Sequence, residues 1–312
     1  SKEVVPISPE AEVWTFIEED LGKAIRLLSK ADSKWYVSSD AANALAARVA
    51  LFQNKMTDAA NYAEAVLANS SFSLASTAMD FSKNWVAGSS SPEIIFAYVN
   101  NSRASSPLNF TLYVNDTDGS WNYAPSDWCY NSLFADDNTL SRKGDVRLKA
   151  TFTSQDANRV IKYPNGTYQL AETSDYTCTP VVISRISEMY LIKAEAEAMG
   201  GNLSGGKSTL ENFVRTYRDP SFTSKANSAQ DFQDEVWLQR RMELWGEGFS
   251  LFDILRLKKP VIRKNTNYDP SVQYNSAAEA QILIYRIPQC EMETNSGISD
   301  TDNNPAAPQP QL

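Results

Sequence analysis

Histidine occurs nowhere in the 312 residues. Its absence removes Ser-His-Asp and Cys-His catalysis, imidazole-ligated zinc and imidazole acid/base chemistry together. Cysteine is nearly as scarce. Cys129, Cys178 and Cys290 stand far apart with no CxxC pair, so neither a zinc site nor a thioredoxin-like motif is indicated. One disulfide with a leftover thiol and three free thiols both remain open. No apolar run approaches the roughly 18 residues that a membrane-spanning helix needs. The residues from Ser1 onward carry neither a basic start nor a hydrophobic stretch. No signal peptide is expected there, and the chain reads as a mature or truncated product. Positive charge is in deficit: 29 Lys and Arg against 38 Asp and Glu give a net charge of −9, with a pI near 4.8. No basic stripe stands out, which argues against nucleic acid as a partner. Neutral ligands such as carbohydrates are not disfavoured.

What is present is an ordinary globular composition, 42% hydrophobic and 21% charged, long enough for one large domain or two ordinary ones. The stretch Val236–Arg256 concentrates Arg240, Arg241 and Arg256, the acids Glu243, Glu247 and Asp253, and several large apolar side chains. Isolated buried charges are costly, so each arginine is expected near an acid. Arg240, Glu243 and Glu247 are spaced to line one helical face. Gly246 and Gly248 read as a break between two packed helices. A structural helix pair locked by ion pairs is favoured here over a catalytic cluster.

Residues 8–30 read as an amphipathic helix, with Ser8 as cap, Pro9 in the first turn and Glu10 and Glu12 at the positive end of the dipole. Trp14 and Phe16 are expected in the core. Asp40–Phe52 and a second helix from Met56 to about Asn69 form an alanine-rich antiparallel hairpin of tetratricopeptide type, a unit that stacks on others. From about 71 to 180 the helical periodicity fades. Glu93–Asn100 reads as a buried strand, Tyr163–Gly166 as a hairpin turn, and Asp127–Phe134 as a short helix capped by Ser126. Helices return in Ser184–Met199, ended by Gly200-Gly201, then Lys207–Arg218, Ala229–Gly246 and Glu247–Lys258. Ile282–Ile287 reads as a strand, and residues 299–312 as a Pro/Asn-rich tail, either mobile or laid over the surface. The fold class expected is mainly α: a single domain over 1–312, with tetratricopeptide-like hairpins at about 8–70 and 184–258 and a long loop and short-strand insert.

Several of these segments together resemble the SusD/RagB family of outer-membrane nutrient-binding lipoproteins from Bacteroides-like bacteria. Ser184–Ala196 resembles its "RyaEvyLlyAEA" helix, Gln239–Arg256 its "ERr-El-gEG-R-fDL-R" signature, Lys143–Leu148 its "kD-R" element and Ile287–Glu291 its "iP-sE" turn. The Asp40–Ser73 hairpin resembles the family's alanine-rich unit. Gln239 stands where the signature has Glu and Ser250 where it has Arg, each removing one ion pair. The resemblance covers the C-terminal two-thirds of such a protein; the first third, with its lipid-bearing cysteine, has no counterpart before Ser1. It implies a helical, non-catalytic protein on the extracellular face of the outer membrane. Such a protein loads oligosaccharide or polysaccharide into a TonB-dependent, SusC-like transporter and meets the membrane only through a lipid anchor absent from this chain.

A sugar ring offers an apolar face and a rim of hydroxyls, so binding it calls for aromatic planes and a few polar partners. Tyr113–Asn131 has that composition within nineteen positions. Trp121, Tyr123, Trp128 and Tyr130 are the candidate glycan-stacking residues, against the alternative of a small satellite core under the insert; Trp85 is a weaker candidate. The pairs Asp116/Asp118 and Asp136/Asp137 lack the ligand spacing of an EF-hand, so no metal is expected. Neither a cofactor nor a catalytic residue is expected. Two other functions compete: a helical protein–protein scaffold without glycan affinity, and a glycoside hydrolase built on carboxylates paired in space.

Overall fold

The computed structural model describes residues 4–86, 91–99, 126–129, 144–152, 160–163 and 179–305. The fold is mainly helical with one small two-stranded sheet. The chain divides into two compact units, one spanning Leu21–Glu247 and the other joining Ser1–Asp20 to Gly248–Leu312.

Helix α1, Glu10–Leu27, keeps Glu10 and Glu12 in its first turn and Arg26 in its last, matching the helix dipole. None of its residues is buried. Trp14 and Ile17 are half-covered and Phe16 is 65% exposed, so the expectation that Trp14 and Phe16 sit in the core is corrected. An apolar stripe makes a helix amphipathic; burial also needs a partner surface, which the described residues do not supply.

In the larger unit, α2 (Ser39–Phe52) starts where Ser38 Oγ accepts from the Ala41 N–H at 3.1 Å. It packs against α3, Met56–Leu67, across Ala44, Ala47, Ala59 and Ala63, all fully buried. Side chains this small let the helix axes approach closely, which is why the alanine spacing predicts the hairpin. After α4 (Ala78–Ser82), capped by Thr77, comes β1, Ile94–Tyr98. Further on lies the short α5, Val146–Thr151, with Asp145 as its cap. Strand β2, Val181–Arg185, pairs antiparallel with β1, placing Ile94 opposite Arg185 and Tyr98 opposite Val181. The predicted helix from Ser184 therefore begins two residues later. The β-branched run Val181–Ile183 finds a partner strand far away in sequence, and pairing overrides the helical reading of Ser184 and Arg185.

Helix α6, Ile186–Met199, is buried on most sides, between the alanine-rich hairpin and α7, Leu203–Tyr217. Gly201, at φ 100°, turns the chain out of α6 as the glycine pair predicts. Helix α7 begins four residues earlier than expected and runs through Gly206. A Cβ there would lie 2.5 Å from the Ala194 carbonyl and 2.9 Å from the Ala198 Cβ. Helix α8, Ala229–Glu243, completes the layer through Phe232 and Val236. Its chain then breaks at Gly246 and Gly248, both at positive φ, where the sequence places the break.

In the smaller unit, α9 (Ser250–Arg256) carries the ion pair Arg256 Nε–Asp253 Oδ1 at 2.8 Å. A bridge between Val261 and Ser276 closes the loop between them. The predicted strand Ile282–Ile287 is instead a turn of 3-10 helix at Gln281–Leu283 followed by extended chain. Its Ile287 N–H meets the Asn303 side chain at 2.9 Å rather than a neighbouring strand. The final helix, α10, is Gln289–Thr294. Asn303 and Asn304 bond the backbone of Ile287 and Tyr285, so this part of the tail is laid over the surface; residues 306–312 lie outside the described residues.

Candidate functional site

A buried ionic cluster gathers around the end of α8. Glu243, at the end of α8, takes Arg185 Nη1 at 2.5 Å and Arg218 Nε and Nη2 at 2.8 and 2.9 Å. Glu93, just before β1, takes Arg218 Nη2 at 2.9 Å and Arg185 Nη1 at 3.3 Å, and accepts from Asn84 and the Ala75 backbone. Glu247 accepts from Arg185 Nε and Nη2 at 3.0 and 2.9 Å. Arg147 of α5 grips Asp145 with two nitrogens and donates to Gln239 Oε1 at 2.8 Å. Lys162 Nζ completes the set, donating to Glu247 Oε1 at 2.7 Å, the Trp245 carbonyl at 2.7 Å and the Glu243 carbonyl at 3.2 Å. Four cations (Arg147, Lys162, Arg185, Arg218) face four carboxylates (Glu93, Asp145, Glu243, Glu247), so the charge closes.

The pairing is close to saturated: Arg147 Nη1 makes no hydrogen bond and faces Glu243 Oε2 at 3.7 Å. Burial pushes the Glu243 carboxyl upward, but Arg218 and Arg185 pull harder and hold it well below the usual carboxylate range. Burial likewise raises Glu247, and Arg185 and Lys162 outweigh it, leaving the group lowered. For Lys162 the balance reverses. Burial exceeds the pull of Glu247 and brings the ammonium down to about 8. Its Nζ lies 4.6 Å from the Trp85 ring, which is 1% exposed. Trp85, the weaker stacking candidate, is therefore core and unavailable to a ligand.

This geometry corrects the local pairing predicted for the helix face. Glu243 meets Arg185 and Arg218 from distant elements, while Arg240 Nη2 faces Glu188 Oε1 of α6 at 3.9 Å. Glu188 also takes Arg48 Nη2 of α2 at 2.7 Å. Gln239, where the family signature has Glu, gives Arg147 a neutral acceptor. Glu247 is not on the helix at all. It sits in the turn where Gly246, at φ 75°, would bring a Cβ 3.1 Å from the Tyr163 ring. The cluster thus fastens two return segments of the insert, 144–152 and 160–163, to α8 and the turn after it.

On that base stands one of the four predicted stacking residues. Ser126 Oγ accepts from the Cys129 N–H at 3.2 Å, the cap expected for this helical turn. Cys129 packs into a small core with Phe152, Val160 and Met242, the first two joined as a backbone bridge. Burial pushes its thiol up to about 12, against weaker pulls from Arg241 and Trp245, so it is an inert packing group. Trp128 points the other way and is 40% exposed. The Arg241 guanidinium lies 4.3 Å from its ring and 5.0 Å from that of Trp237. An indole backed by a guanidinium is held flat and loses little entropy when a ligand covers its remaining surface. Arg241 is the partner that composition did not reveal, although its spacing of four from Trp237 on α8 is a readable signal. Trp121, Tyr123 and Tyr130 lie outside the described residues, as do both aspartate pairs and most of the predicted hairpin turn.

A sequence model of the SusD family matches residues 135–305. No curated protein matches the chain. Among solved structures, a SusD superfamily protein from Bacteroides thetaiotaomicron superposes with a TM-score of 0.79 at 23% identity, covering 97% of this chain and 68% of that one. A SusD superfamily protein from Bacteroides vulgatus gives 0.79 at 24%, covering 98% and 68%. A protein of the same organism described as a SusD-like carbohydrate binding protein gives 0.73 at 22%, covering 96% and 68%. At these identities the likeness is one of fold.

Proposed function

This chain belongs to the SusD family, and on that premise we propose that it binds oligosaccharide without catalysis at the cell surface and delivers it to a TonB-dependent, SusC-like transporter. The observation that carries the reading is Trp128, a half-exposed indole held by Arg241 above a closed, rigid base. The apolar face of a sugar ring stacks on such a plane, and neighbouring polar groups take its hydroxyls. Trp121, Tyr123 and Tyr130 are the other residues proposed to stack on the ligand. The name of the structurally similar carbohydrate binding protein from Bacteroides vulgatus supports the ligand class.

Absence of catalysis has a local argument. Glu93, Glu243 and Glu247 are brought together, but all three are buried and bonded to guanidinium groups. A glycosidase pair needs one acid that carries a proton and room for the glycosidic bond between the two carboxyls. Glu243 and Glu247 are held ionised, and guanidinium groups fill the space between the three carboxyls. No described helix is long and apolar enough to cross a membrane; a lipid anchor is the attachment that the family resemblance implies.

Titration calorimetry against a broad panel of oligosaccharides tests the proposal. Saturable binding that weakens at least tenfold in Trp128→Ala is expected. No binding across the panel, together with tight transporter binding that Trp128→Ala leaves unchanged, would favour the helical scaffold instead.

A further inference from the structure

The nine residues Arg256–Lys264 (RLKKPVIRK) hold five cations and no acid, in a chain whose net charge is −9. This run is a local exception in a chain that otherwise lacks a basic stripe. Two of the cations have nearby carboxylates: Arg256 pairs with Asp253 at 2.8 Å, and Lys258 with Glu279 at 3.0 Å. Arg263 is different. Its guanidinium carbon lies 5.4 Å from the Tyr268 ring and 5.4 Å from the Tyr274 ring, and no described carboxylate pairs with it. A guanidinium has five N–H donors; among the described residues one contact is made, Nη1 to Tyr274 Oη at 3.5 Å.

The loop that carries this group is built to hold it. The bridge between Val261 and Ser276 closes its ends. Asn275 Oδ1 accepts from the N–H groups of Arg263 and Lys264 at 2.9 and 3.1 Å. Thr266 Oγ1 donates to the Arg263 carbonyl at 2.5 Å. The Gln273 amide ties the carbonyls of Thr266 and Tyr268 at 3.1 and 2.7 Å. Asp269, the one acid inside the loop, is spent on Ser271, accepting from its N–H and its hydroxyl. Compact loops with paired ends and internal side-chain bonds are frequently functional. Tyr268 is 42% exposed and Arg263 half-buried, so the donor fork is framed by aromatic walls and open to a ligand.

We propose that Arg263, framed by Tyr268 and Tyr274, is a binding site for an oxyanion group, a carboxylate or sulfate borne by a saccharide. A planar fork matches these groups with two parallel N–H bonds, and desolvation by the flanking rings strengthens them. The net negative charge of the chain does not forbid this. At physiological ionic strength charges beyond about 8 Å are screened, so the local run decides. As to ligand class, the site rests on the glycan reading, but it lies in the smaller compact unit and is argued without Trp128.

The test titrates the whole chain with a uronic-acid disaccharide, its neutral analogue and inorganic sulfate, in wild type, Arg263→Gln, Tyr268→Ala, Trp128→Ala and the double variant Trp128→Ala/Arg263→Gln. The uronic-acid disaccharide is expected to lose at least tenfold in affinity in Arg263→Gln, and less in Tyr268→Ala, while its binding to Trp128→Ala retains that Arg263 dependence. If sulfate competes, the site reads the anion alone; if it does not, the site reads the acidic sugar, and both outcomes support the assignment. Wild type that binds neither anion at millimolar concentration overturns it, as does an affinity for the disaccharide that Arg263→Gln leaves within twofold. Loss of neutral-sugar binding in Trp128→Ala alone bears on the Trp128 platform and not on this site. Circular dichroism of Arg263→Gln checks that the loop variant is folded.

Discussion

Two sets of arginine–aromatic contacts among the described residues differ in what else surrounds the guanidinium. Arg185 and Arg218 lie 5.3 and 5.0 Å from the Phe81 ring, sealed from water and saturated by Glu93 and Glu243. Arg241 backs Trp128 near the surface at 4.3 Å, with the indole left partly open. Buried charge survives only when every donor and acceptor is engaged, so the first arrangement has nothing left to offer a ligand. The second keeps an aromatic plane in reach of solvent. Density of charged and aromatic residues therefore marks architecture in the buried cluster and the proposed recognition site at Trp128; exposure is what separates the two.

The sharpest way to break the contrast is at its buried end. Glu243→Ala leaves Arg185 and Arg218 without their shared carboxylate and is expected to destabilise the fold by about 3–5 kcal/mol, read from chemical denaturation. A loss below about 1 kcal/mol, the size expected of an exposed pair, would mean the cluster is wetter than its geometry indicates. Gly206→Val should cost about 1–3 kcal/mol through overpacking against Ala194 and Ala198, with the glycan site unaffected.

Proton linkage separates the members of the cluster. Glu243 and Glu247 ionise below the unfolded value of 4.5, so their stabilisation is present above that value and is lost as pH falls through their lower folded values. Lys162 has the opposite sign from an ordinary paired lysine. With a folded value of about 8 against 10.5 unfolded, the unfolded chain holds more protons between these limits. Its contribution to stability therefore rises with pH across that window. Urea midpoints measured from pH 7 to 10.5 should show a rise in wild type that Lys162→Met lacks; parallel curves would contradict the assignment.

The helical frame was readable because its information is local. Alanines at Ala44, Ala47, Ala59 and Ala63 recur at the spacing that buries one face, and Gly201, Gly246 and Gly248 stand where the backbone turns left-handed. Pairing at long range was not readable. Strand β2 depends on β1, and the Glu243 partners Arg185 and Arg218 are 58 and 25 residues away. Helical spacing pointed instead to Arg240, three residues upstream. For the candidate site, composition singled out Trp128 but not Arg241. It also missed Arg263, whose tyrosine neighbours converge through the Thr266, Gln273 and Asn275 bonds of a closed loop. Burial is the other blind spot: Trp85 and Phe16 exchange the roles expected of them, because aromatic character does not say which surface a partner will cover.

The central claim is that recognition resides at the surface indole and not in the charged cluster beneath it. Glycan affinity and thermal stability of Trp128→Ala, measured on the same preparation, test this most directly. An affinity reduced at least tenfold with a melting temperature close to that of wild type is the predicted result. Unchanged affinity, or a loss of binding that only tracks a loss of folded protein, would contradict it.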